Sequence, residues 1–404
     1  MGVSIPEGAK FERMVTAFEQ MALSMNGNID LTDFRQIQAI VQAGKASKYF
    51  DIGDQIVVKW NPAGDATEYD LPWDIVYFDN VTDPYGDSHP AMWLQSHYAL
   101  LPVQFDGNEA FYVPTENMAA GTYYFTLGNN WGTHVVGGKS YQFTTTQAVP
   151  KGGQLVLGAA TSNTSGLPDT APANWRVRTF ANGTQADPTE ILALTEGTDG
   201  TYLGELSSST KYSADGMNNM QRAAYGYNRW GQSAMRQYLN SAEASGAWWL
   251  QKNPFDHRPD QLASMRGFMA GLPADFLEVV RPVKVTTLLN TVSDVDIGTS
   301  EDTADTFFLP GLQQEYIAPQ TTGEGSPWQY WIDRLGTQHA QGTVRPEHIR
   351  YAIENHGSAQ YVRLRSAGRG YADVAWRVSS SGNAYGGYYL AASASRPAPA
   401  CVIY

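Results

Sequence analysis

From residue 48 onward, no apolar run in this chain is long. YFDIGDQIVVKW and LPWDIVYF are β-branched and aromatic, and Gly, Asp or Pro bound each of them. Residues 83–155 continue in that style with HYALLPVQF, EAFYVP, GTYYFTL, KSYQFTTT and GGQLVL, separated by turn residues. Runs of this length and residue type are strand signals, and their close spacing without helices predicts a sandwich- or jelly-roll-like module. The 39 Gly and 21 Pro among 404 residues supply the turns that such a loop-rich architecture needs.

Helical periodicity is confined to a few places. Within residues 8–44, Phe11, Met14, Val15, Phe18, Met21 and Ala22 recur at three- and four-residue spacing, as do Leu31, Phe34, Ile37, Ile40 and Val41. NGN at 26–28 separates the two stretches, Asp30 suits an N-cap and Gly44 a C-terminal stop. Residues 1–47 are therefore expected to form a short helical arm, either docked on the body of the chain or used for attachment or oligomerisation. After a Ser/Thr/Gly/Pro stretch at 159–174, NRWGQSAMRQYLNS places Trp230, Ala234, Met235, Tyr238 and Leu239 on one face. Trp230, Met235 and Leu239 are expected to pack against the final strands. RPDQLASMRGFMAGL, with Pro259 near its start, predicts a further helix, and VKVTTLL and TFFLP predict strands.

Composition removes several function classes. A net charge of −13 argues against a nucleic-acid partner. A single cysteine excludes an internal disulfide framework and a cysteine-rich metal cluster. MGVSIPEGAKFERMV lacks the basic and apolar regions of a signal peptide, and no apolar run approaches the roughly 20 residues of a membrane span. The expectation is a chain folded in a reducing cytoplasm, with no membrane and no secretory route. A virion released by lysis fits that description.

Residue patterns for catalytic or metal chemistry are sparse in this chain. His89, His97, His134, His257, His339, His348 and His356 form no H-E-x-x-H pair. SDVDIGTSEDTAD at 293–305 gathers Asp294, Asp296, Glu301, Asp302 and Asp305 in what reads as one solvated acidic loop, without the ligand order of an EF-hand. There is no G-x-S-x-G, no P-loop and no strand-led G-x-G-x-x-G. No cofactor and no metal are expected, and the chain reads as a binder rather than an enzyme.

The C-terminus is different in kind. GNAYGGYYLAASASRPAP (382–399) mixes Tyr with Gly, Ala and Ser at no regular period, directly before the short buried-type strand Cys401-Val402-Ile403-Tyr404. Tyr among small residues is the composition of a paratope, where it offers large amphipathic contact area at small entropy cost. The stiff RPAP beside it suits a scaffold that must survive substitution of its neighbours.

LRSA at 364–367, WRVSSSGNA at 376–384 and the closing RPAPACVIY together resemble the variable region (361–404) of diversity-generating-retroelement target proteins. YFDIGDQIVVKW, YNRWGQSAMRQYLNS, GFMAGL and TFFLPGLQQEY are similar to the scaffold of the same family. The resemblance implies an α+β chain: a C-type-lectin-like domain over 48–404, a β-rich insertion at 83–155 and the N-terminal arm. It implies that Gly368, Gly370, Tyr371, Asp373, Val374, Tyr385, Gly386, Gly387, Tyr388, Tyr389, Leu390, Ser393 and Ser395 are hypervariable ligand-binding positions. Arg365, Ser366, Trp376, Arg377, Val378, Gly382, Arg396 and Pro397 would be fixed scaffold, while Ser379 and Ala392 fit either class. The expected function is non-enzymatic phage receptor binding on a virion tail. Its partners would be a bacterial surface protein or glycan and other tail proteins, with homo-oligomerisation possible. The alternatives are a structural decoration of the particle, or a glycan-active enzyme on the related formylglycine-generating fold.

Overall fold

The final strand, Ala400–Ile403, pairs antiparallel with Met92–Ser96, which pairs with Tyr69–Phe78, which pairs with Gln55–Trp60. The computed structural model describes residues 33–130, 137–159, 174–208, 216–319, 321–385 and 389–404. All four residues of the final strand are fully buried, as an uninterrupted apolar run requires. Gln55–Trp60 instead alternates, with Ile56, Val58 and Trp60 inward. Early and late parts of the chain thus share one sheet, and the segment between Ser96 and Ala400 is held by it at both ends. The chain is mixed α and β and strand-rich, with small sheets. Among the described residues, no helix is long and apolar enough to cross a membrane.

The helix Phe34–Gln42 begins at Asp33, whose side chain accepts from the Gln36 N–H. Phe34, Ile37, Ile40 and Val41 enter the main core, and the Phe34 ring meets Phe276 edge-on at 5.2 Å. Gln38 donates to the Tyr404 carbonyl. This part of the expected arm is therefore docked on the body. The earlier helical stretch lies outside the described residues.

A second core occupies the middle of the chain. One sheet runs in the order Thr195–Glu196, Ser140–Thr145, Gly121–Leu127, Thr201–Leu206; a three-stranded sheet runs Glu190–Ala193, Trp175–Phe180, Gln154–Ala159. Phe111, Phe125, Phe143, Leu155, Leu157, Trp175 and Val177 fill this core. Its residues run from Phe111 to Ala224, which corrects the expected insertion bounds of 83–155 at both ends. Met92–Ser96 belongs to the main sheet because it hairpins onto Tyr69–Phe78. The strands Glu190–Ala193 and Thr201–Leu206 escape sequence reading because much of their surface is solvated: Ile191 and Tyr202 are half exposed.

Two further expectations change. The segment 258–272 forms two 3₁₀ turns, Asp260–Ala263 and Phe268–Gly271, instead of a helix. Gly267 breaks the path: a Cβ there would lie 2.3 Å from the Ser241 carbonyl oxygen. The acidic stretch 293–305 is not one loop, since Ser300–Asp305 is a strand paired with Val283–Leu288. Its carboxylates are engaged: Glu301 by Arg229, Asp302 by Lys284 and Asp305 by Arg236. Trp230, Met235 and Leu239 lie in the same core as the final strand, on the 3₁₀ turn Trp230–Gln232 and the helix Ala234–Leu239.

Candidate ligand-display surface

A five-stranded sheet carries the C-terminal region, in the order Ala384–Tyr385, Ala375–Val378, Val362–Ala367, Ala394–Pro397, Val103–Gln104. Its central strand, Val362–Ala367, is buried throughout, yet contains Arg363, Arg365 and Ser366. Buried guanidinium groups need acceptors, and five fixed N–H donors let each serve several at once.

Arg363 uses its donors almost entirely on main chain. Nη1 donates to the carbonyls of Ala375 (2.8 Å) and Tyr389 (3.0 Å), and Nη2 to those of Leu390 (2.9 Å) and Ser393 (3.4 Å) and to the Ser395 hydroxyl (3.3 Å). Burial, with Arg377 nearby, pulls its pKa down to about 9, so the group stays charged at neutral pH. Arg365 works the same way one pleat on, donating to the carbonyls of Leu309, Glu324 and Thr286 and to the Gln314 side chain. Ser366 bonds the Glu324 carboxylate and accepts from the Leu312 N–H.

The neighbouring loop, 368–374, is held by Asn228. Its Nδ2 donates to the carbonyls of Tyr371 (2.7 Å) and Val374 (2.8 Å), and its own N–H to that of Ala372 (3.0 Å). Main-chain bonds from Ala375 to Tyr389 and from Ala391 to Asp373 then bring this loop alongside 389–393. Both segments are positioned through backbone atoms, largely without regard to what their side chains are.

The outward side is aromatic. Arg377 lies between two parallel tyrosine rings, 3.2 Å from the centroid of Tyr389 and 4.1 Å from that of Tyr361. Trp376, the neighbour on the opposite face of the same strand, is buried among Leu312, Ile317, Leu364, Val378 and Ala384. Gly382 has a φ of +78°, and a Cβ there would sit 2.1 Å from the Arg345 carbonyl oxygen, so this turn requires glycine. Arg396 makes a two-point ion pair with Glu354, and Pro397 is buried.

The expected variable positions divide. Gly370 and Tyr371 are exposed, and Tyr389, Leu390 and Ser393 are half-buried. Tyr385 has its backbone on the edge strand opposite Arg377, and Gly386, Gly387 and Tyr388 lie outside the described residues. Gly368, Asp373, Val374 and Ser395 are buried, which corrects their assignment to a contact surface. Val374 is bridged through its backbone to Leu390, and Ser395 answers Arg363. Arg363, Asn228 and Tyr361 were missed by sequence reading. The one usable signal was an arginine alternating with apolar residues in YVRLRSA, where an inward-facing cation must have partners.

Asp373 gives a direct test of this burial. Desolvation pushes its carboxyl up to about 6, against 3.8 in an unfolded chain, and Oδ1 has no hydrogen-bond partner. A carboxyl raised in the folded state favours folding below the unfolded value, and that advantage is lost as pH rises through about 6. Asp373→Asn should therefore stabilise the protein at pH 7.5 by about 2–3 kcal/mol relative to its effect at pH 4. Urea melts of both proteins at the two pH values check it; a mutant effect independent of pH would contradict the burial.

Residues 206–403 match the model of a family described as a domain of unknown function (DUF6273), a span that takes in four of the five strands of this sheet. The chain matches no curated protein and no solved structure.

Proposed function

We propose that this chain is a non-enzymatic ligand-binding protein of the diversity-generating-retroelement type, built on a C-type-lectin-like domain. It uses the surface around Gly370, Tyr371, Tyr389 and Leu390 to hold a bacterial surface ligand for a phage tail. The observation that carries this reading is the main-chain anchoring by Arg363 and Asn228. A surface that must change its side chains without losing its shape needs supports that do not depend on those side chains. The tyrosine-rich, small-residue composition of 382–395 adds contact chemistry suited to varied partners. An enzyme of the formylglycine-generating type would need an accessible, reactive thiol. Cys401 is instead sealed in the final strand with its thiol pushed well up by burial.

The natural ligand is not required for the test. A library randomised at Gly370, Tyr371, Tyr389 and Leu390, selected on an arbitrary purified protein such as lysozyme, should yield specific binders. Most members should keep stability within about 1 kcal/mol of the parent, the range of surface substitutions. A library that mostly unfolds rejects the display reading. In the source DNA, a near-copy of the segment coding 361–404 beside a reverse-transcriptase gene would bear on the diversification itself.

A further inference from the structure

Where the chain leaves the display sheet after Val103–Gln104 and crosses into the second core, three carboxylates converge. One oxygen from each of Asp106, Glu109 and Asp256 lies within 4.8 Å of the others, and the three residues are 3%, 0% and 2% exposed. Their partners are unequal. Glu109 is saturated by Arg222 Nε (2.7 Å) and Nη2 (2.8 Å), Asn218 (2.8 Å) and Asn253 (3.2 Å). Asp256 accepts the N–H groups of Lys252 and Asn253 and the Asn253 side-chain amide. Asp106 has only the Ala234 N–H on Oδ1, at 3.2 Å, while Oδ2 is buried with no hydrogen-bond partner.

The charges do not cancel. Three carboxylates face one guanidinium, and Arg222 is spent on Glu109 in a buried ion pair. Two negative charges remain in a desolvated site, where each uncompensated ion costs several kcal/mol. Either a proton or a cation must neutralise them. The donor set is all oxygen, with no sulfur and no imidazole, which selects a hard divalent ion. The Asn253 side-chain amide links two of the carboxylates, donating to Glu109 at 3.2 Å and to Asp256 at 2.8 Å. A cavity of about 380 Å³ lies on the other side of Arg222 and Asn253, the residues that bond Glu109 and Asp256. A buried set of protein oxygens suits calcium, which accepts varied geometry, better than magnesium, which demands a regular octahedron and keeps several waters.

We propose that Asp106, Glu109 and Asp256 form a calcium site that ties the segment 106–109 to 253–256 at the junction of the two cores. This reverses the expectation of a metal-free chain. Asp256 stands about 150 positions from Asp106 and Glu109, so no local spacing announces the set. The acidic stretch at 293–305, the obvious candidate by composition, has its carboxylates occupied by Arg229, Lys284, Arg236 and Tyr227.

The experiment uses the full chain, purified without chelator, analysed for bound metal by mass spectrometry and then melted in EGTA, in calcium and in magnesium. About one calcium per chain is expected, and the Tm should rise by roughly 3 °C between EGTA and calcium at 100 times Kd. Asp106→Asn should abolish that shift, while Asp302→Asn, at an exposed carboxylate, should retain it. A chain that binds no calcium and melts identically in EGTA and calcium overturns the proposal, leaving a shared proton as the neutralising species. Loss of the shift in Asp302→Asn alone would move the site to 293–305. An equal response to magnesium would overturn the choice of calcium. Should Asp106→Asn fail to fold, the wild-type metal content and EGTA melt still decide the question.

Discussion

Arg363→Met should lower the stability of this protein by about 3–5 kcal/mol, although it exchanges a buried cation for an apolar side chain of similar length. Replacing a buried charge by a well-packed hydrophobe is often harmless, because the desolvation penalty disappears with the charge. Here the acceptors would remain. The carbonyls of Ala375, Tyr389, Leu390 and Ser393 would each lose the guanidinium donor, those of Tyr389 and Leu390 keeping only the main-chain N–H groups of Ala375 and Ser393. A buried acceptor left without a donor costs roughly 1–3 kcal/mol, and four weakened together outweigh the relief of removing the guanidinium. Arg377→Met makes the comparison sharp. It removes a cation from between Tyr361 and Tyr389, in a position that is only half-buried, and should cost about 1 kcal/mol. Urea denaturation of both variants, with equal slopes as the check on two-state behaviour, gives the two values. An Arg363→Met variant as stable as the parent would remove the main-chain anchor on which the display reading depends.

The parts of this structure that were legible in sequence share a cause: local pattern and tertiary environment agree there. The final strand reads as a short apolar run and is buried on every residue. Trp230, Met235 and Leu239 fall at helical spacing and pack inward as a set, even though a 3₁₀ turn and Ser233 interrupt the helix. Failure came where partners are distant or solvent masks the period. The strand Glu190–Ala193 alternates only between exposed and half-buried residues, so no apolar stripe marks it. Gly267 ends a helical pattern because the Ser241 backbone approaches it, a contact no window of sequence contains. The display surface was half legible. Its tyrosines stand out by composition, but Asp373, Val374 and Ser395 look no different from their exposed neighbours until the buried side of the loop is known. Arg363 and Asn228 support that loop from 363 and 228, which is why the anchors were invisible while the anchored residues were not.

One strand supplies the other large effect and its control. On Ala375–Val378, side chains alternate between faces, so Trp376 points into a cluster with Leu312, Ile317 and Leu364 while Arg377 points out to the tyrosines. Trp376→Ala should destabilise the protein by about 3–5 kcal/mol, because it empties a large site whose walls include a buried strand on one side and the turn 312–317 on the other. Trp376→Phe should cost less, since it also removes an indole N–H that has no hydrogen-bond partner. Tyr361→Ser and Tyr371→Ser, at residues 43% and 39% exposed, should together stay within roughly 1 kcal/mol of the parent while changing what the surface binds. The two classes of variant therefore separate stability from recognition within a few residues of each other. Thermal melts of the four variants, made in a library member that was selected on lysozyme and keeps Tyr371, followed by binding of each to lysozyme, measure both. Tyrosine variants that unfold, beside a Trp376→Ala that stays native, would mean that the tyrosines hold the core and Trp376 belongs to the surface.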